Sequence, residues 1–233
     1  HHLIELHQPH SSNPTLLDVG CGEGFALSYF ARHHFIASGL DFSQAGILQQ
    51  NPEFLPFTEF GDLFSLIDEK INLSSHYDVI LLQNVLEHVL DPTVLLSSIH
   101  KLLNKHGLAL ITVPNDFSPT HKELLSEGCI DHEFWVCPPD HLSYFNYESL
   151  QNILVDAGFN VRDIISDFPV DWYLFHPGSN YIQDSSNGKE AHKSRVLIEN
   201  MLHENSIADV VSFYRSLAKV GGGRNLTAVV SPH

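Results

Sequence analysis

The stretch LLDVGCGEGFALSYFARHHFIASGLDFS, Leu16 to Ser43, sets Gly20, Gly22 and Gly24 at alternate positions between two apolar runs, the second of which ends in Asp41. Thr15 to Val19 reads as a buried strand halted by Gly20, and Gly24 to His34 as a helix with Phe25, Leu27, Phe30 and Ala31 on its apolar side. Phe35 to Asp41 follows as a second strand. A strand, a tight glycine turn, a helix and another strand form a crossover unit, and such units build parallel sheets covered by helices on both faces.

The pattern continues down the chain. Tyr77 to Gln83 is a further continuous apolar strand, and NVLEHVLDPTVLLSSIHKLLNKHG after it reads as a helical stretch interrupted at Pro92 and ending at Gly107. Leu108 to Asn115 is the next strand, Asn146 to Gly158 an amphipathic helix, Asn160 to Phe168 a strand, and NLTAVVS near the end a closing strand. Two stretches break the alternation: Asp116 to Phe145, rich in prolines, aromatics and histidines, and Pro169 to about Gly223. Both follow strands, so they are expected to form a helical and loop lid over the carboxyl edge where open α/β sheets bind ligands. The expected division is a core over 1–168, a helical cap over 169–223 and a final core strand over 224–233.

Charge narrows the ligand. Twelve Lys and Arg against 28 Asp and Glu give a formal net charge of −16, a field that repels nucleic-acid backbones and anionic lipid surfaces. Three scattered cysteines do not make a disulfide framework and fit a reducing cytoplasm. No apolar run approaches the roughly 18 residues that a membrane span needs.

Glycines at a helix start let a ligand approach backbone amides where the dipole favours negative charge. The dinucleotide fingerprint fails here, because Phe25 stands where its third glycine belongs, and no Gly-Lys-Ser/Thr follows as a triphosphate loop requires. An adenosyl ligand bearing a carboxylate instead of a pyrophosphate remains, with Asp41 placed to accept from both ribose hydroxyls.

These residues resemble the class I S-adenosylmethionine-dependent methyltransferases. LLDVGCGEG is similar to their first motif, LDFS to the ribose-binding end of the second strand, and FGDL to the segment whose acid meets the adenine amino group. YDVILLQNVLEHVLDP and PPDHLSYFNYESLQNILVDAGF resemble the branch that holds the ubiquinone-biosynthesis O-methyltransferases. DFPVDWYLFHPGSNYI and GKEAHKSR are more distantly similar to bacterial members associated with surface polysaccharides. The resemblance spans about Leu16 to Phe168 and implies a Rossmann-like α/β fold with a mostly parallel seven-stranded sheet. It implies S-adenosylmethionine as cofactor, with Asp18, Gly20, Cys21 and Gly22 around its methionine part. Asp41 and Phe42 would take the ribose and one adenine face, Asp62 and Leu63 the adenine edge, and Gln83 and Asn84 the turn beneath the sulfonium. The implied reaction is O-methylation of a small molecule, a sugar or surface-glycan precursor in preference to a quinone-like phenol, with a non-catalytic module that only binds the cofactor as the other alternative.

Each candidate has a plainer alternative. Asp18 suits a helix cap, and Asp41 a turn. His88, four residues after Asn84 on an expected short helix, is either a general base or a packed histidine; Glu87 beside it is expected to be solvated. His141 is a candidate base or substrate ligand in its loop, or a packing residue there. Cys129, His132, Cys137 and His141 superficially offer four metal ligands, but their spacing matches no common finger and a packed aromatic loop around Trp135 is favoured, with no metal expected. Phe168, Trp172, Tyr173 and Phe175 are either a substrate wall or core.

Overall fold

The computed structural model describes residues 1–7, 13–204 and 206–233. In chain order the elements are α1 (His2–His7), β1 (Thr15–Val19), α2 (Phe25–Arg32), β2 (Ile36–Asp41), α3 (Ala45–Gln50), β3 (Thr58–Phe60), α4 (Leu63–Asn72) and β4 (Tyr77–Gln83). They continue as α5 (Pro92–Leu102), β5 (Leu103–Pro114), α6 (Pro119–Ser126), α7 (Tyr147–Asp156), β6 (Phe159–Ser166), α8 (Gly188–His203), α9 (Ile207–Lys219) and β7 (Asn225–Pro232). The seven strands form one mostly parallel sheet in the order β3-β2-β1-β4-β5-β7-β6. β1 is central and pairs in parallel with both β2 and β4, which sets Asp18 between Gly39 and Leu81. Such a strand is covered on both faces, which explains why Leu16, Leu17 and Val19 are fully buried on either side of Asp18.

The chain divides into two compact units, 1–112 with 151–162 and 228–233, and 113–150 with 163–227. In the first, Leu16 and Val79 from the strands pack with Leu27 and Phe30 of α2 and with Ile47 of α3. Helix starts are fixed by side-chain caps: Asp62 accepts from Ser65 N at α4, and Asp91, ahead of Pro92, accepts from Thr93 N and Val94 N at α5. In the second unit Trp135, 1% exposed, packs with Leu124, Ile130 and Leu174, while Val210, Tyr214 and Leu217 form the buried stripe of α9. Arg215 of α9 forks onto Asp163 of β6, Nε to Oδ1 at 2.8 Å and Nη2 to Oδ2 at 2.6 Å. Both stretches that break the strand and helix alternation fall in this unit. Its limits differ from the divisions at 168 and 223, because it takes in 113–150 and parts of β5, β6 and β7.

Three local expectations are corrected. Residues 84–90 form no helix: Asn84 is left-handed at φ 53°, its N–H donates to Thr112 O at 2.9 Å, and His88 N closes a turn on Val85 O at 3.0 Å. The helix expected to reach Gly107 ends at Leu102. β5 starts at Leu103, five residues early, because Asn104 Nδ2 donates to Asp78 Oδ1 at 2.7 Å and draws the chain onto β4. Its register then jumps from Tyr77↔Leu103 to Val79↔Leu108, looping out residues 104–107. Finally, the expected loop after Asp116 contains α6, capped by Ser118 Oγ on His121 N.

Candidate active site

The glycine turn leaves β1 with Gly20 N and Cys21 N both donating to Leu40 O, at 2.8 and 3.2 Å, which ties the turn to the end of β2. Gly20 has φ +79°, and a Cβ there would lie 2.4 Å from Val85 Cγ2. Gly22, at φ +52°, has nothing among the described residues within 4 Å of such a Cβ, so none of them closes its outer side. Asp41 locks the loop from the next strand: Oδ2 accepts from Gly22 N at 2.8 Å and Oδ1 from Ser43 N at 2.9 Å. The turn reading of Asp41 and its ligand reading are therefore compatible, since a carboxylate has lone pairs left after two bonds.

Beside this turn is a cleft of 180 Å³ lined by Asp18, Gly20, Cys21, Gly22, Phe25 and Gln83, among others. Asp18 is 2% exposed, and burial, with the Asp41 charge adding to it, pushes its carboxyl up to about 7. It lies in β1 and caps no helix; α2 has Gly24 at its N-cap. Burial, then the charges of Asp18 and Asp41, push the Cys21 thiol up to about 12, so Cys21 packs as a neutral group and not as a nucleophile. A buried acid at a cleft wall, to which no described residue donates a hydrogen bond, is complementary to a cationic ligand.

Around the rim, Phe42 is 83% exposed and offers an uncovered ring face. Asp62 Oδ1 accepts from Ser65 N and Oγ, bonds that hold its carboxyl below the usual range, and Leu63 beside it is half-buried. Gln83 and Asn84 are exposed at the carboxyl end of β4. The cleft brings together Asp18, Gly20, Cys21, Gly22 and Gln83, and the Gly22 bond adds Asp41. Residues beneath the turn were missed from sequence: Val85 under Gly20, Gly39 under Cys21 Sγ, and Gly46 against the Gly22 backbone. Gly39 and Gly46 were visible as glycines inside a strand and a helix, the signal of close backbone approach.

His88 has a side chain 44% exposed, with Nε2 3.8 Å from Glu87 Oε1. Glu87 is 1% exposed, which corrects its solvated reading: the turn at 85–88 directs it inward. His141 belongs to the second unit, half-buried, with its N–H donating to Cys137 O and its carbonyl accepting from Tyr144 Oη at 3.1 Å. Among the described residues Cys129, His132, Cys137 and His141 do not converge as one ligand group. Of the aromatics after β6, Phe168 is buried whereas Trp172 and Phe175 are 49% and 41% exposed. A polar cluster missed from sequence lies in the same unit. His121 Nε2 is 2.9 Å from Asp171 Oδ2, Tyr181 Oη donates to Asp171 Oδ1 at 2.9 Å, and Trp135 stacks on His121 at 3.9 Å.

A family model described as a methyltransferase domain matches residues 2–164. Among curated proteins, the chain is 26% identical over 204 residues to a Mycolicibacterium smegmatis protein named "Probable S-adenosylmethionine-dependent methyltransferase", covering 84% of this chain and 70% of that one. It is 24% identical to the ubiquinone biosynthesis O-methyltransferase of Pseudomonas paraeruginosa, over 65% of this chain and 66% of that one. For the Vibrio cholerae counterpart the identity is 26%, over 58% and 60%. Among solved structures, an Archaeoglobus fulgidus S-adenosylmethionine-dependent methyltransferase superposes with a TM-score of 0.57 at 18% identity, covering 98% of this chain and 89% of that chain. The cyclase SpnF superposes at 0.55 and 16% identity, covering 99% and 79%, so the fold by itself does not fix the reaction. Family model and sheet order agree with the glycine turn and its acidic cleft: the chain belongs to the methyltransferase domain family, as a class I S-adenosylmethionine-dependent methyltransferase.

Proposed function

We propose that this enzyme methylates a hydroxyl of a small, hydroxyl-rich acceptor, a sugar or surface-glycan precursor. The observation that carries the acceptor class is the polar interior of the second unit. Asn115 Oδ1, Asp116 Oδ2, His121 Nδ1, Trp135 Nε1 and Tyr173 Oη are buried there without a hydrogen-bond partner among the described residues. Several unsatisfied donors and acceptors in one unit suit a ligand that carries several hydroxyls, and native proteins rarely leave such groups unused.

S-adenosylmethionine supplies a methyl group already activated by a cationic sulfur, so the protein contributes mainly placement and electrostatics. Asp18, Gly20, Cys21 and Gly22 would hold its methionine part, Asp41 and Phe42 the ribose and an adenine face, Asp62 and Leu63 the adenine edge. Gln83 and Asn84, at the carboxyl end of β4, would contact its sulfonium end. His88, beside the buried Glu87 carboxylate, or His141, fixed by its loop bonds, is the base that takes the acceptor hydroxyl proton. A sugar alcohol, far less acidic than a phenol, depends on that help the more.

The test begins with calorimetric titration of S-adenosylmethionine, S-adenosylhomocysteine and NAD. The first two bind and NAD does not; Asp41→Ala, which also releases Gly22 N, weakens both by roughly 10- to 100-fold, as loss of hydrogen bonds to a charged group does. Nucleotide sugars, free hexoses and a catechol are then assayed for S-adenosylhomocysteine release. Sugar turnover falling about 10²- to 10⁴-fold in the His88→Ala/His141→Ala variant, with homocysteine-product affinity unchanged, supports the assignment. Full sugar turnover without both imidazoles removes the base role. Turnover of catechol alone transfers the reading to a quinone-like phenol, in keeping with relatives named as ubiquinone biosynthesis O-methyltransferases.

A further inference from the structure

At the other edge of the sheet, a cavity of 360 Å³ is lined by His7, Lys105, His106, Leu108, Asn160, Arg162 and the last three residues, Ser231, Pro232 and His233. Its composition runs against the whole chain: acids outnumber Lys and Arg 28 to 12, yet among the described residues no acidic side chain lines it. Lys105 and Arg162 form no ion pair among the described residues, and both are exposed. Local structure produces this arrangement. The register jump that loops out residues 104–107 turns Lys105 and His106 out of the β5 ladder, and Arg162 stands near the start of β6.

We infer that this basin is a second ligand site, for an anion carrying one or two phosphoryl groups. A guanidinium offers a fork of N–H donors, an ammonium a point charge, and the imidazoles of His7, His106 and His233 further ring nitrogens, a set that matches several phosphoryl oxygens at once. The volume falls at the lower end of the range for small-molecule pockets. The basin lies at the amino ends of β5 and β6, and the glycine cleft at the carboxyl ends of β1 and β4. A seven-residue strand separates the two levels by roughly 20 Å at about 3.3 Å per residue. An anion bound there is therefore no methyl acceptor; it is an effector or an anchor.

The experiment titrates inorganic pyrophosphate, inorganic phosphate, ADP and citrate into the intact chain at low ionic strength. Pyrophosphate and ADP bind, and Lys105→Ala/Arg162→Ala weakens both at least tenfold while affinity for S-adenosylhomocysteine stays the same. ADP binding more tightly than pyrophosphate marks a nucleotide as the source, and equal affinity marks the free polyphosphate; either supports the site. Arg32→Ala/Lys189→Ala, which removes the same charge from exposed positions elsewhere, leaves pyrophosphate binding unchanged. Absence of pyrophosphate binding overturns the inference. So does equal loss in the control pair, undiminished binding in the basin variant, or citrate binding more tightly than pyrophosphate.

Discussion

Asp18 concentrates the chemistry of the cleft in one residue. Burial raises its folded pKa from an ordinary carboxylate value to about 7, so the protonated form stabilises the fold. That contribution is complete below about pH 4 and is lost as pH rises through about 7. Asp18→Asn, which keeps the shape without the charge, is expected to match the parent near pH 4 and to exceed it at pH 8 by roughly 2–4 kcal/mol, at about 1.4 kcal/mol per unit. Urea denaturation of both proteins from pH 4 to 8 measures this, and a difference that does not change with pH refutes it. The same variant should lose cofactor affinity at pH 8, because the charge costly to the empty fold is the one a cationic ligand offsets. Glycines and acids in LLDVGCGEG were enough to locate this residue, but not its state, since the number of cations around Asp18 depends on side chains from β2 and the turn. Glu87 shows the same limit: a carboxylate in a polar-looking segment is buried because a turn, and not a helix, carries it.

Among elements, the turn between β1 and α2 makes unequal demands on its glycines. Gly20→Ala combines a left-handed backbone with a 2.4 Å approach to Val85 and is expected to cost about 2–4 kcal/mol, whereas Gly22→Ala meets only the backbone penalty of about 1–2 kcal/mol. Gly22→Ala therefore folds nearly as well as the parent and loses mainly S-adenosylhomocysteine binding, because its methyl enters the open side of the turn. Denaturation midpoints set beside calorimetric affinities separate the two effects. β1 and β4 were legible because continuous apolar runs between turn signals suit a strand buried on both faces. The segment after β4 was not: Val85, Leu86 and Val89 have helical spacing, yet the left-handed Asn84 and the cap at Asp91 allow only a turn between them. β5 was misread at its start because the bond from Asn104 to Asp78 joins residues 26 apart, a distance that periodicity cannot sense.

For the molecule as a whole, charge is the governing quantity. At −16 the chain repels itself, and raising ionic strength from about 0.01 to 0.15 M shortens the screening length from about 30 to 8 Å. The melting temperature should rise over that interval while association of cationic S-adenosylmethionine slows; stopped-flow binding and thermal denaturation read both, and rates independent of salt exclude steering by the field. The doubly wound sheet was foreseeable from the alternation of elements, whereas the grouping of 113–150 with 163–227 was not, because it depends on contacts such as His121 with Asp171, 50 residues apart. The position of β1 also has a consequence for biosynthesis. It precedes β4 in the chain yet lies beside it within the sheet, and Thr15 finds Asp78 only 63 residues later. At about 5–20 residues per second, the nascent strand waits several seconds for its second neighbour. During that interval Leu16 and Leu17 have no complete sheet to shield them, and the unpaired edge of β1 is open to pairing with another polypeptide.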